Sequence, residues 1–375
     1  MAASGPLFYA VIAFVIMVFA GMLLIDASPY IGRARRKTRS RYPRYTPRTL
    51  VMVPCRGTEL ALAQNLHSIA DQSYKDYDAV IIVDSKDEPA AACAKKLGIR
   101  VMVSVHSAPR SSGKVLAILT ALSKLRGYDV YAIADSDVKV PRDWLAQLVE
   151  PLSDRKIGIS TSYPKFIPAG GFWSKVKYVW GFVGEGLMEN ERTRFGWGGS
   201  LAFSKAIVDR KLIRMMEDSP YSVSDDICIT RRAKDLGLGV AYVDSIQPEV
   251  ASNDSLGKFM EWANRQTVLT ILGYRRNLYY GLAFYCAEII LLLSGIALSI
   301  AISPLFLILL LHLAKSEVKT YARAATSDPT IAAIVVFMPF LYVANLIAAS
   351  GTDHITWRGR RYAVGQQKGF KQQQA

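Results

Sequence analysis

The segment Tyr131–Val138, which reads YAIADSDV, is an apolar run that ends in two carboxylates, Asp135 and Asp137. The run predicts a buried parallel strand. Alternate side chains of an extended backbone point the same way, so the two carboxylates are expected to converge. Hard oxygen ligands at the carboxyl end of a strand suit Mg²⁺ or Mn²⁺ holding a diphosphate. An isolated Asp-x-Asp is more often a plain turn.

Two further acidic positions strengthen the interpretation of this segment as a site. Asp84 follows the apolar run 79–83, and Asp226 belongs to a Ser-Asp-Asp triplet that precedes a predicted helix at 227–236. Ligands of doubly wound sheets bind beyond the carboxyl ends of the strands. We therefore expect these carboxylates and the Asp135 pair to lie at one edge of a sheet.

The part of the chain from residue 50 to residue 243 alternates between short apolar runs and helical stretches. This alternation predicts an α/β fold with a doubly wound, mostly parallel sheet. Besides the strand before Asp135, the predicted strands are 50–54, 79–83, 100–105, 157–161, 201–203 and 240–243. The predicted helices are 59–70, 90–97, 113–125, 172–188, 227–236 and 256–271.

Membrane segments are expected at both ends of the chain. Hydrophobic residues make up 51% of the sequence and the mean hydropathy is +0.17. The run 5–25 is long enough to cross a bilayer, and it fits a retained anchor better than a signal peptide because no positive region precedes it. The stretch 278–314 is expected to cross once, with a turn or kink at Ser303–Pro304, and 330–350 is a final span.

Positive charge clusters beside these apolar runs. The net charge is +15, and residues 33–48 contain arginines and a lysine but no acid. A nucleic-acid arm is one explanation. Next to an apolar helix, a cytoplasmic stop signal touching anionic lipid headgroups is the better one. The four scattered cysteines predict free thiols in a reducing compartment. An integral, multi-pass membrane protein with a cytoplasmic catalytic domain follows, with no nucleic-acid partner.

Five regions are therefore predicted. They are an N-terminal transmembrane anchor (1–30), a basic juxtamembrane segment (31–48), a cytoplasmic catalytic domain (49–275), membrane-embedded helices (276–352) and a basic cytoplasmic tail (353–375).

Each candidate residue outside the Asp135 pair has a functional and a plain interpretation. Arg56 and Lys114 are loop cations that could reach a phosphate or be merely solvated. Asp226, or less favourably Asp225, could be a general base or a helix N-cap. Arg265 could steady a leaving diphosphate or lie on a helix surface.

Two segments near these residues are also open to two interpretations. The glycines of 196–200 permit close backbone approach to a ligand, or only a turn. The aromatic helix 172–188, with Lys175 and Lys177, could be a core helix or an interfacial one.

Several motifs, taken in order, resemble one enzyme family. They are VPCRG at 53–57, VDSKDEPA at 83–90, ADSDV at 134–138, SDD at 224–226, the helix bearing Arg265, and ITWRGRRY at 355–362. Together they resemble the membrane-bound family-2 glycosyltransferases of the ceramide glucosyltransferase and hopanoid glycosyltransferase type. The match spans most of the chain, including the anchor and the C-terminal membrane region.

The resemblance implies a GT-A fold and inverting, single-displacement transfer from a nucleotide sugar, with a UDP-sugar favoured, to the hydroxyl of a membrane lipid. It implies Asp84 as a nucleotide contact, Asp137 as a ligand of Mn²⁺ or Mg²⁺ that Asp135 could share, and Asp226 as the base. We also assign Pro54, Arg56, Lys114, Asp135 and Gln266 to donor binding, and Arg265 to catalysis.

The chain departs from the family at one point. Many members carry Gln/Arg-x-x-Arg-Trp after the base, whereas this chain has Trp262-x-x-Arg265-Gln266. The departure leaves the acceptor open. One alternative is sugar transfer to a polyprenyl phosphate, which needs no general base. A second is a processive polysaccharide synthase, although the small number of membrane spans argues against it. A third is a non-catalytic membrane scaffold.

Overall fold

The structure is a computed structural model that describes residues 5–34, 42–57, 59–324 and 326–364. Residues 35–41 of the predicted basic segment and residues 365–375 of the predicted tail lie outside this part of the chain. The strands are β1 Thr49–Cys55, β2 Tyr77–Val83, β3 Arg100–Val103, β4 Val130–Ala134, β5 Val138–Lys139, β6 Ile157–Thr161, β7 Lys165–Gly170, β8 Ser200–Ser204, β9 Gly239–Tyr242, β10 Glu249–Asn253, β11 His354–Trp357 and β12 Arg360–Ala363.

The helices agree to within three residues with those predicted between residues 59 and 271 and with the span predicted at 330–350, whereas the first helix extends nine residues beyond the predicted run 5–25. They are α1 Pro6–Ala34, α2 Leu62–Ala70, α3 Pro89–Lys96, α4 Gly113–Lys124, α5 Trp144–Val149, α6 Phe172–Glu189, α7 Arg210–Glu217, α8 Asp225–Asp235, α9 Leu256–Gly273, α10 Arg276–Ala301, α11 Leu311–Ala324 and α12 Thr330–Ser350. Short 3₁₀ helices occupy Glu150–Ser153, Lys205–Ile207, Asp244–Ile246 and Pro304–Leu310.

The chain forms two compact units. One contains residues 1–39 and 266–351, and the other contains residues 40–265 and 352–375. The second unit therefore joins the predicted catalytic domain to the segment that follows the last apolar helix. The predicted tail begins at residue 353, and in its described part β11 and β12 pair as an antiparallel hairpin that belongs to the sheet-bearing unit.

The sheet-bearing unit is built on a mixed seven-stranded sheet of order β3-β2-β1-β4-β8-β6-β9. The strands β3, β2, β1 and β4 are parallel, and β8 runs antiparallel to both of its neighbours. A smaller sheet has the order β5-β10-β7. The prediction of an α/β fold with a mostly parallel sheet is confirmed. The pattern did not predict β5, β7, β10 or α7, because these elements are short and only partly buried.

The core lies against the central strands. Leu50 and Met52 of β1 and Ile133 of β4 are fully buried, together with Ile118 of α4 and Phe203 of β8. Because helices cover both faces of a parallel sheet, both faces of its central strands are buried and their sequences are almost continuously apolar, as they are here. Burial of a side chain of this kind stabilises the fold by about 1.5–3 kcal/mol. The strand ends are thereby held rigidly at one edge.

The helix predicted from residue 59 begins three residues later in the structure. Leu60 is 53% exposed, whereas Leu66 and Ile69 of the same predicted helix are buried. The helix begins at Leu62, after a turn in which Ala61 has a φ of 58°. Leu60 therefore precedes the helix, and the helical periodicity does not apply to it.

The other unit contains the long apolar helices. Within the described residues, α10 and α12 are long and apolar enough to cross a membrane by length and composition, and α1 contains a shorter apolar stretch, Phe8–Met22. The predicted break at Ser303–Pro304 is present, since α10 ends at Ala301 and the Ser303 hydroxyl caps the following 3₁₀ helix. The number of crossings stays a prediction.

Candidate active site

Asp135 and Asp137, the two carboxylates of the segment Tyr131–Val138, lie on a turn between two strands and not on a strand. β4 ends at Ala134, and the Val138 amide donates to the carbonyl of Asp135 at 3.4 Å before β5 begins. The expectation of an extended backbone through Asp135 and Asp137 was therefore wrong. The turn nevertheless keeps the two close enough for the charge of Asp135 to raise the pKa of Asp137.

Lys114 is the electrostatic centre of the site. It lies in the first turn of α4, and its Nζ is 2.7 Å from Asp135 Oδ1 and 3.4 Å from Asp225 Oδ2. It also donates to the Gly198 carbonyl at 3.0 Å. Burial tends to lower the pKa of this amine, but the charges of Asp135, Asp225 and Asp226 outweigh burial and hold the pKa above its usual value. Lys114 is thus a permanent cation between carboxylates from two elements.

The two acids of the Ser-Asp-Asp triplet differ in exposure. Asp225 is only 2% exposed, whereas Asp226 is half-buried. Burial raises the pKa of Asp225 to about 7; Lys114 opposes the shift, and Asp226 and Asp135 add to it. A carboxyl that titrates near neutral pH can hold or release a proton under working conditions.

Asp226 does not cap its helix. The N-cap of α8 is Ser224, whose hydroxyl accepts from the Ile227 amide at 3.3 Å. Asp226 Oδ2 instead accepts from the Gly198 amide at 3.3 Å, and its Oδ1 accepts from the Ser224 hydroxyl and, at 2.8 Å, from the Ile227 amide. These donors fix the orientation of a half-buried carboxylate.

The loop before β8 brings backbone against these carboxylates. β8 is antiparallel to β4, so Ser200 lies opposite Ala134 and the Gly199 carbonyl accepts from the Asp135 amide at 3.2 Å. A Cβ on Gly198 would lie 2.7 Å from Asp225 Oδ2 and 2.8 Å from Lys114 Nζ. Glycine is required there for close approach to side chains of the site.

A buried lysine that the sequence reasoning assigned no role lies near Asp137. Lys177 of α6 is 8% exposed, and its Nζ is 3.2 Å from Asp254 Oδ2. Burial lowers its pKa, while Asp254 and the more distant Asp137 act in the opposite direction. This part of α6 is therefore core, although Phe172 at its start is 52% exposed. Interleaved lysines and aromatic residues fit both interpretations, so only packing could decide.

Arg265 lies on α9 and stacks on an aromatic ring. Its guanidinium carbon is 5.3 Å from the centre of the Trp357 ring on β11. Burial lowers the pKa of Arg265, while the charges of Glu261, Asp137 and Asp135 raise it. The guanidinium is therefore close enough to Asp135 and Asp137 to interact with them electrostatically. Gln266 follows on the same helix, and its carbonyl accepts from the Thr270 hydroxyl.

The third acidic position, Asp84, is paired with arginines. It follows β2, and its Oδ2 is 3.5 Å from Arg56 Nε and 3.1 Å from Arg360 Nη2. Pro54 lies in β1 opposite Ile82, beyond the last residue of β1 that pairs with β4. The proline therefore interrupts no hydrogen bond to β4. No sequence pattern indicated Arg360 as a partner of Asp84.

Asp135 and Asp137 are the carboxylates that could hold a divalent cation in this site. Burial raises the pKa of Asp137 to about 6 and the charge of Asp135 adds to the shift, so the close carboxylates destabilise each other when no cation is bound. Within the described residues, no group of three or more His, Cys, Asp or Glu side chains could hold a metal. Two carboxylates with oxygens of a diphosphate and water suit Mg²⁺ or Mn²⁺.

Comparison with known proteins identifies the family. The sequence model described as Glycosyl transferase family 21 matches residues 9–369, nearly the whole chain. The fold of the chain is similar to that of a mannosyltransferase from Pyrobaculum calidifontis, which was solved with GDP-Man and Mn²⁺. The TM-score is 0.52 and the sequence identity 18%, and the alignment covers 89% of this chain and 97% of that one. Glucosyl-3-phosphoglycerate synthase from Mycobacterium tuberculosis, solved with Mn²⁺ and UDP-glucose, aligns at a TM-score of 0.40 and 17% identity, over 60% of this chain and 79% of that one.

The matched family is that of ceramide glucosyltransferase, so the resemblance found in the motifs is confirmed. The mixed, mostly parallel sheet is the GT-A type of fold. The chain belongs to glycosyl transferase family 21 and is a nucleotide-sugar-dependent glycosyltransferase.

Proposed function

We propose that this glycosyltransferase moves a sugar, with inversion, from a nucleoside-diphosphate donor to the hydroxyl of a membrane lipid at the cytoplasmic face. The observation that carries the proposal is the arrangement around Lys114, which joins Asp135 of the donor side to the Asp225–Asp226 pair. Asp135, a candidate metal ligand, and the acidic pair that contains the candidate base Asp226 are thereby linked through the buried Lys114. A transferase needs both within reach of one sugar carbon.

Asp226 is the proposed base. It is half-buried, its orientation is fixed by the Gly198 amide and the Ser224 hydroxyl, and the neighbouring Asp225 is too deeply buried to meet an acceptor. The carboxylate takes the proton of the acceptor hydroxyl as that oxygen bonds to the anomeric carbon. The bond from this carbon to the diphosphate breaks on the opposite face, so the configuration inverts.

Donor binding is assigned to the opposite side of the site. Asp84 accepts hydrogen bonds from the nucleoside, and Arg56, Lys114 and Arg265 supply positive charge toward the diphosphate. Pro54 and Gln266 remain proposed donor contacts. Asp137, with Asp135, would hold Mn²⁺ or Mg²⁺, which supplies charge neutralisation for the departing diphosphate. A UDP-sugar is the favoured donor, and the GDP-Man bound by the mannosyltransferase makes a GDP-sugar the second.

The lipid acceptor is supported by the apolar unit. Helices α10 and α12 have the length and composition of membrane spans, and the basic residues near them suit anionic headgroups. A ceramide-like or hopanoid-like lipid with a free hydroxyl fits a family-21 enzyme.

The test is transfer of radiolabelled sugar from UDP- and GDP-sugars to a lipid extract by the full-length protein, with Mn²⁺ or Mg²⁺. Asp226→Asn is expected to lower kcat by about 10²–10⁴-fold. The matched control is Asp235→Asn, at the other end of α8, where the carboxylate pairs with Lys211 on the surface. Chelation with EDTA should abolish transfer by both the wild type and the control.

Each outcome has a distinct meaning. Loss of transfer in Asp226→Asn alone supports a hydroxyl acceptor and a general base. If Asp226→Asn retains most of its activity, a polyprenyl-phosphate acceptor, which needs no base, replaces the lipid hydroxyl. If labelled polymer forms instead of labelled lipid, the enzyme is a processive synthase. Absence of transfer from every donor would contradict the proposal.

A further inference from the structure

The C-terminal hairpin His354–Ala363 folds onto the sheet-bearing unit through one of its faces. Cross-strand pairing sets Trp357 opposite Arg360 and Ile355 opposite Tyr362. Residues paired directly across strands project from the same face of a hairpin. These four side chains therefore share one face, and Ile355 on it is 3% exposed. His354 and Arg361 lie on the other face and contact each other at 3.0 Å.

The inner face contacts the donor side at several separate points. Arg360 Nη2 is 3.1 Å from Asp84 Oδ2, and the Tyr362 hydroxyl accepts from the Gly113 amide at 3.3 Å. Trp357 stacks on Arg265. At the turn, Arg358 pairs with Glu59 beside β1. The hairpin thus touches residues that follow β1 and β2, the start of α4, and the Arg265 helix.

The turn itself is held in an unusual conformation. Arg358 and Gly359 have φ values of 54° and 72°, as in a type I′ hairpin turn. Arginine rarely adopts the left-handed region, whereas Asn or Asp at this position would do so readily. An arginine in this conformation, with its side chain on Glu59, points to a use for the guanidinium.

Arg360 also lies against the N-terminal end of α4. A Cβ on Gly113 would lie 3.4 Å from Arg360 Nη1, so the guanidinium faces the first residue of α4, a helix of 12 residues. The N-terminal end of a helix carries partial positive charge and favours anions over cations. Lys114 follows in the same turn. Asp84 is the anion paired with Arg360, and Arg56 also pairs with that carboxylate.

The contact of Arg360 with Asp84 can be exchanged. Their side chains are 46% and 29% exposed, and ion pairs at such exposure hold their partners weakly. A phosphate can accept two parallel hydrogen bonds from one guanidinium, whereas the Asp84 carboxylate is shared between Arg56 and Arg360. Asp84 would keep Arg56 when Arg360 turns away.

We infer that the C-terminal hairpin is part of the donor site, and that Arg360 binds a phosphate of the nucleotide sugar in place of Asp84. The inference rests on the proposed function, because it takes a nucleoside diphosphate as the ligand. Arg360 is a binding residue contributed from beyond the last apolar helix. Trp357 positions Arg265 at the other end of the same face.

The experiment measures binding of UDP and of GDP, each with Mn²⁺, to the full-length protein by isothermal titration calorimetry. Arg360→Ala is expected to weaken binding of the nucleotide that the wild type prefers by about 10–100-fold, the effect of one charge-assisted hydrogen bond. The matched control is Arg361→Ala, the adjacent arginine on the outer face, which should bind like the wild type. In transfer assays the Arg360→Ala change should raise KM for the donor and leave kcat nearly unchanged.

Hydrogen exchange of residues 354–363 separates binding from support of the fold. The hairpin amides should be equally protected in the unliganded wild type and Arg360→Ala, and nucleotide should increase protection in the wild type. Equal binding by Arg360→Ala and Arg361→Ala would overturn the inference, as would loss of hairpin protection in unliganded Arg360→Ala. If the wild type binds neither nucleotide, the proposed function fails first. Weak binding by Arg360→Ala with an intact hairpin would establish the inference.

Discussion

Substitution of Lys114 by Met tests whether one buried cation holds the site together. Its side chain is 11% exposed, and it lies 2.7 Å from Asp135 and 3.4 Å from Asp225. Methionine has a similar length and no charge. Removal of one partner from a buried ion pair costs about 3–5 kcal/mol, because the remaining charge is left without compensation. We expect a loss of this size in the free energy of unfolding at pH 8.

The loss should depend on pH through the carboxylates. The folded-state pKa of Lys114 is raised, so Lys114 is charged in both states below its unfolded value of about 10.4, and its own titration adds no pH dependence between pH 5 and pH 8. Asp225 has a folded pKa of about 7, against about 3.9 when unfolded. The folded state therefore holds this proton more tightly, and stability falls as the pH rises between these values.

Without Lys114, the pKa of Asp225 moves higher and the fall in stability extends above pH 7. At pH 8 this further rise adds at most about 1.4 kcal/mol to the loss, because a carboxyl whose pKa lies well above 8 is already fully protonated at that pH. The difference between wild type and Lys114→Met should therefore grow from pH 5 to pH 8.

Urea unfolding of the full-length protein in detergent micelles, followed by tryptophan fluorescence at the two pH values, measures the effect. The control is Lys124→Met, the same change on the exposed last turn of the same helix. Its cost should stay below about 1 kcal/mol, the value of a surface cation near a helix C-terminus. A loss under about 1 kcal/mol in Lys114→Met, or a loss that is the same at both pH values, would refute the role of Lys114.

Two further predictions concern the glycine loop and the apolar helices. Gly198→Ala should reduce transfer at least about tenfold, because its Cβ would displace Lys114 or Asp225. The control Gly186→Ala, where nothing lies within 4 Å of the added Cβ, should leave transfer unchanged. Equal activity of the two variants would contradict this role of Gly198. If α10 and α12 span the bilayer, as their length and composition allow, the chain should stay in the membrane pellet after alkaline carbonate extraction of expressing cells. Its release into the supernatant would argue against membrane insertion.

The sequence alone determined the features that depend on local pattern. The apolar runs around Met52, Ile81 and Ile133 predicted the parallel strands, because strands covered on both faces by helices are continuously apolar. The carboxylates that follow β2 and β4 could be predicted in the same way, because the end of an apolar run marks the end of a buried strand in the sequence. The motifs placed on these elements also gave the family.

Only the tertiary structure decided which side chains meet. Lys114 looked like a loop cation, but the antiparallel course of β8 and the start of α8 surround it with carboxylates and backbone. Arg360 looked like part of a basic tail, yet it reaches Asp84 across 276 residues of sequence. Such contacts depend on strand order and on where the chain returns after the last helix, and no local periodicity encodes either. The partners of a charged residue, and therefore its pKa and its role, follow from packing.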